Sequence, residues 1–191
     1  IEINSKAFYN CSKLAGSLNI PDKITTIAES TFYGCCSFTG LLRLPSNLQV
    51  IEYDAFKGCS SFTGSLIIPQ FAITISSGAF EGCKSFSNLT ILANLTKIYE
   101  RTFKDCSGLK SLLKIPDSVI SIGEYAFDNC QQLTGNLIIP NSVQHIGKCA
   151  FQNCYGFNGF LTLSKNITTI EESTFYMCSK FTGSLTIPDQ V

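Results

Sequence analysis

The chain has 191 residues, with 14 basic and 14 acidic side chains, one His and ten Cys. Zero net charge withholds the basic footprint that nucleic acid or an anionic membrane surface requires, so no nucleic-acid partner is expected. No apolar run approaches the ~18 residues of a membrane span, so this segment is not expected to insert directly into a membrane, and 45% hydrophobic against 15% charged residues marks a chain that buries a core.

The N-terminal stretch Ile1–Phe8 has no charged segment followed by an apolar one, hence no signal peptide is expected in it. The first recurrent segment follows at once, Ala7-Phe8-Tyr9-Asn10-Cys11. Its form, [AT]-F-x-x-C, returns along the chain at Phe32, Phe56, Phe80, Phe103, Phe127, Phe151 and Phe175, at spacings of 24, 24, 24, 23, 24, 24 and 24. The cysteines Cys11, Cys35, Cys59, Cys83, Cys106, Cys130, Cys154 and Cys178 keep the same register. In six of the eight units a Gly before the strand permits a tight turn. An alternating pair, as in Leu18/Ile20, Leu66/Ile68 and Leu137/Ile139, then predicts a short strand with one buried face. Proline ends the strand at Pro21, Pro45, Pro69, Pro116, Pro140 and Pro188, because it has no N–H for a ladder; Leu92 and Ser164 stand in its place in the other two units. An Ile recurs before every motif: Ile3, Ile27, Ile51, Ile75, Ile98, Ile122, Ile146 and Ile170. Apolar alternation is lost in the stretch that leads into the next Phe, which predicts a turn or short 3-10 helix on the far side. One residue is missing between Phe86 and Leu89, which shortens the Gly-containing turn there.

A period of 24 lies within the ~20–29 residues of leucine-rich repeats. The expected fold is therefore a leucine-rich-repeat solenoid, β-rich within the α/β superhelix class. It is a right-handed arc of about eight stacked 23–24-residue units, with a parallel sheet on the concave face and turns or short 3-10 helices on the other. Residues 1–191 form a single domain in this reading. The chain starts and stops mid-unit without polar caps, so it is read as part of a longer array or as having ends that self-associate.

Ten cysteines raise three alternatives: packing residues, disulfides or a metal site. Equivalent residues of stacked coils lie about 4.8 Å apart, so the eight motif cysteines form an interior ladder in which free Cys packs as a small hydrophobe. Disulfides between neighbours are geometrically open, although each interior Cys faces two identical partners. A metal site needs converging ligands, which one Cys per unit and a single His do not supply. The motif phenylalanines form a parallel structural ladder. The position two after each Phe is Asn10, Gly34, Gly58, Gly82, Asp105, Asn129, Asn153 or Met177, mostly types that tolerate left-handed backbone, and positive φ is expected there. Cys36 and Cys149 lie off the ladder; their companions in other units, such as Ser12 and Lys84 or Lys6 and Arg101, suggest exposure. His145, four residues before Cys149, lacks a third orienting group. No phosphate loop or hydrolase motif occurs, so neither an enzyme nor a cofactor is expected. Four N-x-[ST] sequons stand at Asn10, Asn88, Asn94 and Asn166.

The motif L-x-I-P-x-x-V-x-x-I-x-x-x-A-F-x-x-C, carried along essentially the whole chain, resembles the BspA-like, treponemal-type leucine-rich repeats of surface proteins of oral bacteria and of protists such as Trichomonas. That resemblance implies cell-surface or secreted location and adhesion to protein ligands, among them host matrix and bacterial surface proteins. Pro replaces the Asn of the commoner repeat, so the usual Asn ladder is not assumed. Within the expected strands the outward residues are Asn19, Arg43, Ile67, Thr90, Lys114, Ile138, Thr162 and Thr186, joined by Leu41, Leu112 and Phe160 from the preceding outward position. Their mixture of apolar, cationic and amide groups makes them the candidate protein-binding face. A structural spacer or an intracellular scaffold without its own ligand is the alternative.

Overall fold

In the computed structural model, which describes residues 2–191, the chain winds as a parallel β-solenoid of the leucine-rich-repeat kind, with no helix among the described residues. The strands, in chain order, are β1 (Thr26–Ile27), β2 (Gly40–Leu41), β3 (Val50–Ile51), β4 (Phe62–Ile68), β5 (Thr74–Ile75), β6 (Phe86–Ile91), β7 (Lys97–Ile98), β8 (Ser121–Ile122), β9 (Leu137–Ile138), β10 (His145–Ile146) and β11 (Leu161–Thr162). All pairings are parallel, between equivalent positions of consecutive coils.

Two strips of sheet result. One holds the expected L-x-[IL] strands, in the sheets β2-β4-β6 and β9-β11, extended by single bridges such as Asn19–Arg43 and Leu112–Thr134. The other, which the sequence does not announce, holds the two-residue strands that end on the recurrent Ile, in β1-β3-β5 and β7-β8-β10. Each of these isoleucines, Ile27 through Ile146, is buried. Six coils carry such a strand, so this strip of sheet makes about six turns against the eight units expected. Ile3 and Ile170, in the outermost copies, lie in no strand and are only half-buried.

The far side consists of turns, and its bonding explains the motif. At every junction from Phe8 to Phe175, the amides two before, at and two after the Phe donate to carbonyls of the next coil, at 2.7–3.1 Å. Lys6, Phe8 and Asn10 thus bond Glu29, Thr31 and Tyr33. The intervening amides close turns inside the coil, as Thr31 to Ala28, Tyr33 to Ser30 and Cys35 to Phe32. All eight residues two after the Phe have positive φ, 56–75°. A second left-handed column, two before the Phe, runs from Lys6 through Asp54, Arg101, Tyr125 and Cys149 to Ser173 at 52–67°. Left-handed backbone costs a non-Gly residue roughly 1–2 kcal/mol, and it persists because the inter-coil bonds hold it.

Inside the turn, the rings of Phe8, Phe32, Phe56, Phe80, Phe103, Phe127, Phe151 and Phe175 stack at centroid spacings of 5.3–5.9 Å, within 16° of parallel. Phe38, Phe62 and Phe86 form a second stack. Where Thr replaces Ala before the motif Phe, its buried hydroxyl donates to the carbonyl three residues back: Thr31 to Ala28, Thr102 to Tyr99 and Thr174 to Glu171, at 2.8–2.9 Å. No buried donor is stranded by the substitution. Each proline carbonyl accepts from the amide three residues on, as Pro69 from Ala72 at 3.1 Å, which turns the chain out of the strand.

The missing residue near Phe86 is absorbed by straightening. β4 and β6 are the longest strands, and they pair through a register shift between Gly64 and Ser65. The ladder's outer rungs are less enclosed than its interior position suggests. Phe8 is 37% exposed, covered on one ring face by Phe32, and Cys11, Phe175 and Cys178 are half-buried, because coils flank them on one side only.

Phe103→Ala is expected to destabilise the fold by about 3–5 kcal/mol, since it empties a fully enclosed rung. Phe8→Ala should cost less than half as much, and urea denaturation of the two variants measures the contrast.

Candidate functional site

The strand strip alternates in the interior coils. Leu42, Leu66, Ile68, Leu113, Ile115, Leu137 and Ile139 point inward and are buried. Asn19, Leu41, Arg43, Ile67, Thr90, Leu112, Lys114, Ile138, Phe160, Thr162 and Thr186 are all exposed. The geometry gathers only part of this set. Asn19, Leu41, Arg43 and Ile67 share a hollow of about 1080 Å³ that runs across four coils. Thr90, Leu112, Lys114, Ile138, Phe160, Thr162 and Thr186 lie outside it, mostly farther along the chain.

The hollow's floor is set at a repeat glycine. Gly64 carries no side chain, and the Leu41 side chain of the preceding coil occupies that space: a Cβ on Gly64 would stand 2.2 Å from Leu41 Cδ2. Leu112 lies over Gly135 in the same way. Ser65, Ser87 and Asn88, on the paired strands β4 and β6, line the hollow, and Asn88 Nδ2 donates to Ser65 Oγ at 3.2 Å. Two further members, Phe71 and Leu92, are 56% and 58% exposed, beside Leu41 and Ile67 at 50% each. Neither belongs to the candidate set. Both carry a sequence signal, since Leu92 occupies a proline position and Phe71 lies outside both Phe ladders.

Charge divides the molecule. On the far-side turns lysines meet carboxylates of the neighbouring coil: Lys6 with Glu29 at 3.4 Å, Lys57 with Glu81 at 3.2 Å, Lys148 with Glu172 at 2.6 Å, and Lys104 with Asp128. Among the described residues, Arg43 and Lys114 on the strand strip make no ion pair.

The cysteines form no comparable binding site. All ten are free thiols. From Cys35 to Cys178, each motif thiol donates to the carbonyl of the Phe one coil back, at 3.0–3.2 Å. Burial pushes the Cys35 thiol from its ordinary 9.0 up to about 11. It also raises Cys59, Cys83, Cys106, Cys130 and Cys154. A protonated thiol is what the ladder requires, as only S–H can donate to the Phe carbonyl. Cys36 is half-buried. Cys149, expected at the surface, is instead only 4% exposed, with its Sγ 3.9 Å from the Glu172 carbonyl. Its left-handed backbone, at φ 56°, directs this small side chain against the next coil, whereas the long chains of Lys6 and Arg101 reach solvent from the same position. His145 is exposed on β10. Among the described residues no group of three His, Cys, Asp or Glu side chains converges as a metal site would require, and no helix is long and apolar enough to cross a membrane.

Stacked coils of this period, with parallel strands on one side and a Phe–Cys turn on another, define a leucine-rich-repeat solenoid with an extended strand face. Six copies of the BspA type leucine rich repeat region match residues 1–134 and 109–191, and the chain belongs to that family. Among solved structures, a leucine rich repeat protein from T. pallidum is similar at 27% identity and TM-score 0.64, over 78% of this chain and 69% of its own. A leucine-rich repeat protein from Bacteroides ovatus is similar at 23% identity and TM-score 0.58, over 97% of this chain and 64% of its own. A leucine rich cell surface protein from Faecalibacterium prausnitzii shares 24% identity at TM-score 0.49, over 95% of this chain. The chain spans 63% of the Faecalibacterium protein's length. No curated protein matches the chain in sequence.

The raised thiol pKa values make stability sensitive to alkali. The folded-state pKa exceeds the unfolded one, so the stabilisation is complete below about pH 9 and is lost as pH rises through the folded value, for Cys35 from 9.0 towards about 11. The urea midpoint should hold between pH 7 and pH 8 and fall by pH 10.5, and a Cys59→Ala, Cys130→Ala variant should fall less. Titration in denaturant without reductant should count ten free thiols, as all ten cysteines are unpaired.

Proposed function

We propose that this chain is a non-enzymatic protein-recognition module that binds its ligand through the strand face, displayed at a cell surface or secreted. The observation that carries the reading is the hollow around Leu41 and Ile67, where four large apolar side chains stand half exposed beside an arginine. A solvated strand would not maintain such a cluster, and exposed apolar surface of this kind rimmed by polar groups is the mark of a contact site. Asn19, Leu41, Arg43 and Ile67 are the contact residues in this reading, with Thr90, Leu112, Lys114, Ile138, Phe160, Thr162 and Thr186 extending the surface for a longer partner. Surface display rests on the resemblance of the repeats to those of the BspA-like surface proteins. Host matrix or bacterial surface proteins are the corresponding ligands.

Binding of the purified chain to immobilised matrix proteins and to intact bacteria tests the reading. Leu41→Asp and Ile67→Asp should each weaken binding at least about tenfold, as removal of a central interface residue does. Lys148→Glu, on the far-side turns, should leave it unchanged. Undiminished binding by both strand-face variants would put the contact elsewhere on the chain, and no binding by the native chain would favour a spacer without its own ligand.

A further inference from the structure

The two outward columns of the strand strip carry no carboxylate in any unit. One reads Asn19, Arg43, Ile67, Thr90, Lys114, Ile138, Thr162, Thr186, and the other Ser17, Leu41, Ser65, Asn88, Leu112, Asn136, Phe160, Ser184. The fourteen acidic residues all lie elsewhere. On the far-side turns the ion pairs described above neutralise cations locally, yet Arg43 stands in the apolar hollow without a counter-charge among the described residues. The hollow's acidic lining residue, Asp22, belongs to the turn after Pro21 and forms no ion pair with Arg43.

Resting on the reading that the strand face is the recognition surface, we infer that its partner is an extended protein segment that places a carboxylate on Arg43 and an apolar side chain among Leu41, Ile67, Phe71 and Leu92. A guanidinium flanked by apolar groups favours a carboxylate strongly, because the fork pairs bidentately and the surroundings lower the local dielectric. A cationic segment would meet Arg43 with like charge, and the acid lining the hollow is Asp22 alone, on the turn after Pro21. Length fits as well. Four coils at about 4.8 Å span about 14 Å, which some five extended residues cover at ~3.3 Å each.

The test is selection from a randomised eight-residue peptide library on the immobilised chain, followed by fluorescence anisotropy of the selected peptides. Selected peptides should hold Asp and Glu at about twice the library frequency together with a large apolar residue. Arg43→Glu should weaken them about tenfold, and raising NaCl from 50 to 300 mM, which shortens the screening length from about 14 Å to about 6 Å, should weaken them severalfold. Lys148→Glu should not weaken them. Selected peptides without acidic enrichment, or with binding indifferent to Arg43→Glu, overturn the inference; if Ile67→Asp still abolishes their binding, recognition by the strand face stands. Peptides that bind Ile67→Asp as well as the native chain overturn both. A library with no binder above background overturns the inference of a linear segment. Melting curves that match the native chain establish that the variants are folded.

Discussion

Three amide bonds per coil, made by the turn around each Phe, are the constraint on which the rest of this solenoid depends. Strands of two residues offer few ladder bonds, so the turn supplies the continuous inter-coil bonding that longer strands supply in other sheets. It does so by holding residues on both sides of the Phe in left-handed backbone, which aims alternate N–H groups along the stack. Ring spacings of 5.3–5.9 Å exceed the strand spacing of about 4.8 Å, so the phenylalanines pack as offset stacks, the arrangement their quadrupoles favour. The cysteine completes this turn. Its S–H reaches the Phe carbonyl of the preceding coil, which already accepts the amide of its own turn. A repeated cysteine thus reads as chemistry in isolation and as packing in context.

Such regularity limits where variation can occur. Inward positions must fit two neighbours at once, whereas outward strand positions are held only by their backbone. Two departures from the repeat fall in one region, the one-residue deletion in β6 and Leu92 in a proline position, beside Phe71 and Arg43 at variable positions. Gly64, which keeps the repeat's glycine, supplies the space in which Leu41 lies.

The period, the Phe and Cys ladders and the L-x-[IL] strands were legible because each repeats eight times with its chemistry unchanged. Positive φ two after the Phe was legible from Gly, Asn and Asp. The matching column two before it was not, since Lys, Arg, Tyr and Cys carry no such signature and their conformation is imposed by bonding between coils. The same cause hid the burial of Cys149. The second strip of sheet was hidden because two residues cannot display alternation. For the candidate site, alternation identified the outward residues, but their grouping into a hollow required the fold. Phe71 and Leu92 come from the turns that flank the strands, which periodicity along a strand does not reach.

Charge placement follows from the same stacking. Residues of one column lie about 4.8 Å apart, so like charges in consecutive coils would repel and opposite charges pair. The column after the Phe reads Lys57, Glu81, Lys104, Asp128 in consecutive coils, alternating in sign, with ion pairs from Lys57 to Glu81 and from Lys104 to Asp128. On the strand strip the cations of one column are Arg43 and Lys114, three coils and about 14 Å apart. That distance exceeds the ~8 Å screening length of physiological salt, so the two neither repel nor share a counter-charge. Each keeps its full positive field for whatever approaches the face, and Arg43 does so among apolar side chains that make the field reach farther than it would in open water.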